Sequence, residues 1–255
     1  MPRFFVRSGQ IENGAVRLTG DDAHHVARSL RMAVGDEITV CDMQGNTYEC
    51  KIESFADDRE VVARILCAAA PENEPLCYVR LFQALPKGDK LDTIIQKAVE
   101  CGASEIIPFE SERCVVKVKP EAEQRKTERR QRIAQEAAKQ CGRSLLPKVS
   151  TTVSFSEMLS LTKNDGLCLF CYEGDGTVPI GVVLDEKKDI LFGNARPTVS
   201  LIIGSEGGFS LKEAETIINN GAFAVGLGKR ILRTETASGF ALACISFATE
   251  LGKRE

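Results

Sequence analysis

The segment "LGKRILRTETASGFAL", residues 227–242, determines how the rest of the chain is interpreted. Gly226, just before the segment, and Gly228 bracket Leu227; two arginines flank an apolar pair, and an apolar run with helical spacing follows. A second glycine cluster, "LIIGSEGGFS" at residues 201–210, lies shortly upstream. Each cluster follows a short apolar run typical of a buried strand. Glycine loops after buried strands favour an α/β sheet, whose ligands bind beyond the carboxyl ends of its strands.

Residues 76–255 alternate between strand and helix patterns. The runs "YVRLFQAL", "EIIPF", "GLCLFCY", "TVSLIIG" and "AFAVGLG" predict strands, and helices are predicted near 90–102, 123–142, 211–221 and 236–251. In the first helix the apolar positions share one face, namely Leu91, Ile94, Ile95, Ala98 and Val99. Ser210 and Glu213 form a capping box before the third helix. Such alternation predicts a mainly parallel sheet with helices on both faces.

Residues 1–70 have the pattern of a small β-barrel. The runs "RFFV", "AVRLT", "DEITVCD", "TYECKIESF" and "EVVARILCA" predict five short strands, separated by turn signals that include Asp57-Asp58. One helix, "DDAHHVARSLRM", interrupts them, with Thr19 or Asp21 as its expected cap. The segment "APENEP", residues 70–75, contains two prolines and two acids and is typical of a linker between domains.

We expect the two glycine clusters to lie at the ends of adjacent strands and to offer backbone N–H and C=O groups to a ligand. Such neutral groups suit an adenine edge or a ribose. The chain lacks GxxxxGK[ST], which excludes a Walker-type site. It also lacks GxGxxG after a first strand; "EGDGT" at 173–177 resembles a fragment of that motif, but no helical pattern follows it. A turn or a helix cap would explain either cluster alone, whereas both together favour a binding site.

Composition is that of a soluble globular protein. Of 255 residues, 43% are hydrophobic and 27% charged, and the formal net charge is −3. No long apolar run or signal-peptide pattern occurs, and the ten scattered cysteines fit reduced thiols in a cytoplasmic protein. Between Ser111 and Lys148, eleven Lys or Arg stand against five Glu. That local excess indicates either a solvated helix face or a surface for a phosphate backbone.

No metal site is expected. Cys168 and Cys171 form one CxxC within a strand pattern, without the second pair that zinc requires, so they are interpreted as core thiols. His24 and His25 are adjacent on a helix and point in different directions, so they cannot share a metal.

The segments "IGSEGGF", "LGKRILRTETA" and "QCGRSLLPKV" resemble the signatures of the SPOUT methyltransferases, and most closely the bacterial 16S rRNA uridine-N3-methyltransferase family (RsmE type). "RFFV", "HHVARSLRMAVGDEI" and "KGDKLDTIIQKAVECGASEIIPF" are also similar to that family, so the resemblance spans nearly the whole chain. Ser205 is a departure, since many relatives have proline there; because that position would contribute mainly backbone, we expect no loss of activity.

The resemblance implies an α/β protein of two domains. A PUA-like RNA-binding β-barrel would occupy residues 1–70, a linker residues 71–75, and a SPOUT methyltransferase domain with a trefoil knot residues 76–255. It further implies a homodimer that uses S-adenosylmethionine (SAM) and acts on 16S rRNA of the small ribosomal subunit, with no membrane and no metal as partners.

Site residues are carried over position by position. The resemblance implies cofactor contacts by Gly204, Glu206, Gly207, Gly208, Leu227, Gly228, Ile231 and Leu232, with Tyr172 and Glu173 as weaker candidates. Arg233 is the expected catalytic residue, because its planar fork can stabilise an anion on the target base. Glu235 or Glu206 would orient Arg233 or accept a proton; a structural salt bridge of Arg233 with one of these acids is the alternative. The candidates for RNA binding are Arg3, Arg28, Arg31, Arg113, Lys117 and Arg143.

Three other functions remain open at this point. The chain could be a SPOUT methyltransferase that acts on another rRNA or tRNA nucleotide. It could be a non-catalytic RNA-binding or assembly factor of the same fold. A metabolic α/β enzyme with another adenine cofactor is disfavoured by the N-terminal barrel pattern and the basic helix.

Overall fold

The computed structural model describes residues 1–56, 59–69, 73–118, 120–193 and 196–251. The chain divides into two compact units: Met1–Glu74 with Ala138–Leu146, and Pro75–Ala137 with Pro147–Glu255. The boundary after Glu74 lies in the segment expected to be a linker, of which residues 70–72 fall outside the described residues, as does the turn expected at Asp57-Asp58. Sequence patterns gave no indication that residues 138–146 belong to the first unit.

A six-stranded sheet forms the first unit. Its strands are β1 (Arg3–Phe5), β2 (Ile11–Glu12), β3 (Ala15–Thr19), β4 (Glu37–Cys41), β5 (Thr47–Ala56) and β6 (Glu60–Ala69). Their order is β1-β4-β5-β6-β3-β2, and every pair is antiparallel except β1 with β4. The pairing of β5 with β6 shifts register between Glu49 and Cys50 and between Ile52 and Ser54, as it does at β-bulges. The five expected strands are confirmed, whereas the two-residue β2 is too short to show an alternating pattern.

The helix of the first unit begins differently from the expectation. After a single 3₁₀ turn at Ser8–Gln10, the chain forms α1 (Asp21–His24), which continues as a π-helical turn at His25–Ser29. Neither Thr19 nor Asp21 caps it: the N-cap is Gly20, with φ of 62° and no side-chain cap. The left-handed backbone of Gly20 turns the chain so sharply that Asp21 already lies in the first helical turn, where an acid is favoured.

A seven-stranded sheet, parallel throughout, forms the second unit. Its strands are β7 (Tyr78–Ala84), β8 (Ala103–Phe109), β9 (Lys148–Val149), β10 (Leu167–Cys171), β11 (Val178–Pro179), β12 (Thr198–Ile203) and β13 (Phe223–Gly226). Its helices are α2 (Lys90–Glu100), α3 (Pro120–Cys141), α4 (Phe155–Thr162), α5 (Ile180–Glu186), α6 (Lys188–Leu191), α7 (Leu211–Asn219) and α8 (Thr234–Ser246), with a π-helical turn at Phe247–Leu251 after α8. The last four residues of α3, 138–141, belong to the first unit. The expected alternation of strand and helix is confirmed.

Local patterns predicted the helices that pack on this sheet. The five apolar positions assigned to one face of α2 are all buried. Ser210 caps α7 through the expected box with Glu213. The interpretation of "EGDGT" was wrong in one respect, because a helix does follow it: α5 begins at Ile180, directly after Pro179 as N-cap. Its seven residues make about two turns, and the buried Ile180, Val183 and Leu184 have helical spacing.

Strand order corrects the expected arrangement of the glycine loops. The sheet order is β11-β13-β10-β12-β7-β8-β9, so β10 lies between β12 and β13. The two glycine clusters, which follow β12 and β13, are therefore not on adjacent strands. They flank the end of β10, where Tyr172 and Glu173 follow. The ligand region is therefore bordered by the ends of three consecutive strands, β13, β10 and β12, and not by the ends of two.

The cysteines are all free thiols. Burial raises the pKa of Cys168 to about 12 and also raises that of Cys171, so both stay protonated and uncharged at neutral pH. Within the described ranges, no group of three His, Cys, Asp or Glu side chains could hold a metal ion. A search of the same residues finds no helix with the length and apolar character needed to span a membrane.

Candidate functional site

A cavity of ≈ 690 Å³ lies in the second unit, beyond the carboxyl ends of β10, β12 and β13. Of the residues predicted to contact a cofactor, those lining it are Gly204, Glu206, Gly208, Leu227, Gly228, Ile231, Leu232, Tyr172 and Glu173. Arg233 lines it as well. Gly207 and Glu235 do not belong to the lining. The parallel sheet therefore brings together residues that lie 61 positions apart, from Tyr172 to Arg233.

The loop after β12 is shaped by contacts that exclude side chains. A Cβ on Gly204 would lie 2.9 Å from the ring of Phe209, and one on Gly207 would lie 3.1 Å from the carbonyl oxygen of Arg113. Arg113 in turn donates a hydrogen bond to the Gly207 carbonyl, at 3.2 Å. These two glycines thus allow the loop to fold tightly against its neighbours. For Gly207 this packing, and not a place in the cavity wall, explains the glycine.

Gly228, in the loop after β13, has different surroundings. Its φ is 104°, in the left-handed region, and a Cβ built on it would meet no protein atom within 4 Å. The neighbouring Gly226 is constrained by packing instead, since its Cβ would lie 3.2 Å from Thr177 Oγ1. Gly228 therefore combines a tight turn with open space on its exposed side, as a site for close approach of a ligand to the backbone requires.

Aromatic rings support the end of β10 between the two loops. The Tyr172 ring stacks on Phe170 with centroids 5.2 Å apart, and Phe170 meets Phe209 edge-on at 5.0 Å. The Tyr172 ring also fills the place where a Cβ of Gly174 would stand. Tyr172 is thereby fixed in the cavity wall by packing on both sides.

Lys90, at the start of α2, is a cavity residue that the sequence analysis missed. Its ammonium lies 2.8 Å from Glu206 Oε1 and 3.6 Å from Glu235 Oε2. The backbone N–H of Lys87 also donates to both oxygens of Glu206, at 3.2 and 3.3 Å. Lys90 and Glu206 are 116 positions apart, so no local pattern could pair them. The contact fastens the first glycine loop to the N-terminus of α2.

This contact predicts a pH dependence of stability. Hydrogen bonding to Glu206 raises the pKa of Lys90 above its usual 10.5. Partial burial acts to raise the pKa of Glu206, but hydrogen bonds from Lys90 and from backbone N–H groups outweigh it and hold the pKa below 4.5. Because the pKa of Glu206 is lowered in the folded protein, its carboxylate stabilises the fold above pH 4.5, and this stabilisation is lost as the pH falls through the folded pKa. Because the pKa of Lys90 is raised, its ammonium stabilises the fold below pH 10.5, and this stabilisation is lost as the pH rises through the folded pKa.

We therefore expect wild type to be more stable than Lys90→Met by a constant amount between pH 5 and pH 10, and by progressively less in more acidic solution. Urea unfolding of both proteins across that range measures the difference. A difference that persists unchanged when Glu206 is fully protonated would contradict the ion pair as its source.

Arg233 is the N-cap of α8, and its side chain is exposed in the cavity. Neither acid proposed to orient it contacts it, because both carboxylates face Lys90. Among the residues with described positions, Arg233 makes no ion pair, so the structural salt bridge considered as an alternative does not occur there. The guanidinium is left available to a ligand. Oε2 of Glu235, which faces Lys90 at 3.6 Å, is buried and accepts no hydrogen bond from a described residue.

The six candidates for RNA binding fall into two groups. Arg28, Arg31, Arg113 and Lys117 are exposed. Arg143 is a correction: its side chain is only 3% exposed and pairs with Glu74 at 2.7 Å. Arg3 is half-buried, and its Nη1 is directed to Cys41 Sγ, the Arg143 carbonyl and Ser144 Oγ, at 3.2, 3.4 and 3.3 Å. Both arginines bind residues 143–144 or Glu74 within the first unit, and Arg143 is too deeply buried for RNA to reach it without disrupting the fold.

Replacing Arg143 with methionine is expected to lower the free energy of unfolding by about 2 kcal/mol, because Glu74 would lose a charged hydrogen-bond partner in a buried place. Urea unfolding measures this, with Arg132→Met as control, since Arg132 is exposed on α3. Unchanged stability combined with weaker RNA binding would reinstate Arg143 as an RNA contact.

Ion pairs account for much of the basic stretch between Ser111 and Lys148. Among its described cations, five pair with acids: Arg129 with Asp92, Arg130 with Glu123, Lys139 with Asp22, Arg143 with Glu74, and Lys148 with Glu105. Four of these acids, all except Glu123, lie outside the stretch and offset part of its local charge excess. Outside this stretch, Lys229 and Arg230, which were not among the candidates for RNA binding, are exposed and line the cavity beside Arg233.

Family models match both parts of the chain. A model described as RNA methyltransferase domain matches residues 72–246, and one described as RNA methyltransferase PUA domain matches residues 18–66. The parallel sheet with its cavity at the strand ends and the separate N-terminal sheet are therefore those of an RNA methyltransferase with a PUA domain.

Similar proteins narrow this class. The chain is 35% identical to ribosomal RNA small subunit methyltransferase E of Bacillus subtilis, with 98% of each covered, and 33% identical to the protein of that name in Synechocystis, with 97% of this chain and 78% of the other covered. A solved structure of ribosomal RNA small subunit methyltransferase E from Neisseria gonorrhoeae bound to S-adenosyl methionine has 29% identity and a TM-score of 0.83, over 96% of this chain and 97% of the other. The chain belongs to the ribosomal RNA small subunit methyltransferase E family, as the sequence resemblance indicated.

Proposed function

We propose that this protein transfers the methyl group of SAM to N3 of a uridine in 16S rRNA of the small ribosomal subunit. The observation that carries the proposal is the cavity at three consecutive strand ends, where both glycine loops meet. Support comes from the family and from the SAM bound to the Neisseria gonorrhoeae relative.

The residues present fit SAM. The cavity of ≈ 690 Å³ has the size of small-molecule sites in general. Gly228 leaves open space that any larger residue would fill. Ser205 Oγ, in the cavity wall, is buried and has no hydrogen-bond partner among the described residues, so it is available to a polar ligand atom. When bound, SAM supplies an activated methyl group on a sulfonium; the two loops would hold its adenosyl part.

Arg233 would act on the target base. Uracil N3 bears a proton at neutral pH, so the base must become anionic before it can attack a methyl group, and its flanking carbonyl oxygens share the charge. A guanidinium remains charged at all relevant pH values and offers two parallel donors to such an oxygen. Preorganised donors of this kind stabilise developing charge strongly in a site that excludes water. The proposed proton acceptor is Glu206, which lines the cavity, or Glu235, whose Oε2 lies 3.6 Å from the Lys90 ammonium.

Cations around the cavity would hold the RNA backbone. Lys229, Arg230 and Arg113 line the cavity and have exposed side chains, so phosphates on either side of the target nucleotide could reach them. In the first unit, Arg28 and Arg31 would make further phosphate contacts. With a net charge of −3, the protein would bind RNA through these local groups rather than through its whole surface.

The resemblance further suggests a trefoil knot, a homodimer and a cytoplasmic location, and we include all three in the proposal. An apolar row on α8 and the turn after it supports the dimer. Phe240, Phe247 and Leu251 are 42%, 63% and 74% exposed, at spacings that place them along one side of the helix. Apolar side chains exposed to this extent in a row are typical of an interface.

Methylation with tritiated SAM of small-subunit particles, followed by identification of the modified nucleoside, tests this function. The proposal predicts label in 3-methyluridine of 16S rRNA. Label in another nucleoside, or in tRNA offered as an alternative substrate, would indicate a relative with another target. Calorimetry with SAM tests the alternative of a non-catalytic RNA-binding or assembly factor. A protein of that kind would transfer no methyl group and would not bind SAM at high micromolar concentration.

A further inference from the structure

Gln83, near the end of β7, forms a buried polar network with Gly204, which begins the first glycine loop, and with Thr234, which begins α8. Its side chain is fully buried. Its amide nitrogen donates to Thr234 Oγ1 at 2.9 Å and to the carbonyl oxygen of Ala84 at 3.0 Å, and it lies 3.2 Å from the carbonyl oxygen of Gly204. The Thr234 hydroxyl donates to the same Gly204 carbonyl, at 2.6 Å. One side chain thus joins the start of the first glycine loop to the start of α8.

Stability alone does not explain an amide at this place. Oε1 of Gln83 is buried and lacks a hydrogen-bond partner in the part of the chain that the structure describes. A buried acceptor without a partner is costly, whereas an apolar side chain of similar volume avoids that cost. The hydrogen bonds of the amide nitrogen are therefore the property that distinguishes Gln83 from methionine or leucine.

Those hydrogen bonds fix Thr234, and with it the position of the Arg233 backbone. Thr234 directly follows Arg233, and the Arg233 carbonyl accepts the N–H groups of Thr236 and Ala237 at 2.8 Å each, which closes the first turn of α8. The Arg233 side chain, in contrast, has no ion pair among the described residues that would hold it. Its backbone is the part that the fold fixes, through Thr234 and Gly204.

We propose that Gln83 is a positioning residue for methyl transfer, which holds the backbone of Arg233 in register with the cofactor loop at Gly204. It touches neither substrate nor cofactor, since it is absent from the cavity lining. This inference rests on the proposed function for its catalytic part. Its structural part, the coupling of β7 to the first turn of α8, stands on the hydrogen bonds themselves.

Gln83→Met tests the proposal in two readouts. We expect kcat for methylation of small-subunit particles to fall at least tenfold, while the Kd for SAM from calorimetry changes less than threefold. In the protein without SAM, amide hydrogen exchange of Thr236 and Ala237 is expected to accelerate about tenfold, as loss of the hydrogen bond from Gln83 to the first residue of α8 implies. Exchange in α2, at Ile94 and Ile95, serves as an internal control and should not change.

Thr234→Val and Thr234→Ser form a second, matched pair in case Gln83→Met does not fold. Valine removes the hydroxyl and keeps the shape, whereas serine keeps the hydroxyl, so serine is expected to recover most of what valine loses in kcat and in amide protection. Equal losses of kcat and SAM affinity, or exchange unchanged at Thr236 and Ala237, would overturn the positioning role. If wild type itself does not methylate the particles, the proposed function fails, while the exchange results still decide the coupling.

Discussion

Replacing Gly228 with valine is expected to weaken SAM binding at least a hundredfold, which corresponds to about 2.7 kcal/mol. The Cβ and its methyl groups would enter the open space beside Gly228, where no protein atom lies within 4 Å to obstruct them. That space is the proposed position of the adenosyl part. Isothermal calorimetry with SAM measures the effect directly.

Gly221→Val is the matched control for this prediction. Gly221 has a φ of 98°, close to the 104° of Gly228, and its surroundings are equally open, but it does not line the cavity. Both variants therefore bear a similar backbone strain of about 1–3 kcal/mol, and only Gly228→Val should lose the cofactor. Similar SAM affinities in the two variants would show that the loop after β13 does not hold the cofactor.

Replacing Arg233 with lysine is expected to lower kcat about a hundredfold while SAM affinity stays within threefold. Lysine keeps the charge but lacks the planar pair of donors, and loss of one preorganised donor to a developing anion typically has an effect of this order. Because Arg233 makes no ion pair with a described residue, the substitution should not disturb the fold. Single-turnover methylation and calorimetry, performed on the same preparation, separate the two effects.

The control for Arg233→Lys is Arg125→Lys, the same change at an exposed position of α3 outside the cavity, which should leave both quantities unchanged. If kcat and SAM affinity fell in equal proportion in Arg233→Lys, the arginine would be a cofactor ligand instead of a group that acts on the base. If neither fell, its place in the cavity wall would have no functional meaning.

The sequence predicted those parts of the fold and site that local patterns encode. Helical spacing identified the buried face of α2, the Ser-x-x-Glu pattern identified the start of α7, and glycine after an apolar run identified both cavity loops. Each of these signals is contained within about ten residues, because backbone geometry and one-sided burial act over that distance.

Features that depend on contacts between distant segments were missed. Parallel strands can be joined in several orders by the same alternating pattern, so the position of β10 between β12 and β13 could not be derived. The contact of Lys90 with Glu206 and that of Gln83 with Thr234 span 116 and 151 positions. Arg143 was named as an RNA candidate because it lies in the basic stretch and in a segment that resembles the family. No local pattern shows that it is buried and paired with Glu74.

A crystal structure of the protein with SAM tests the central claim most directly. We expect the adenosyl group to lie between the loop that begins at Gly204 and the loop that contains Gly228, against the end of β10, with the methyl group directed towards Arg233. Electron density for SAM anywhere else on the protein, or loops closed on each other by their own side chains in its presence, would contradict it.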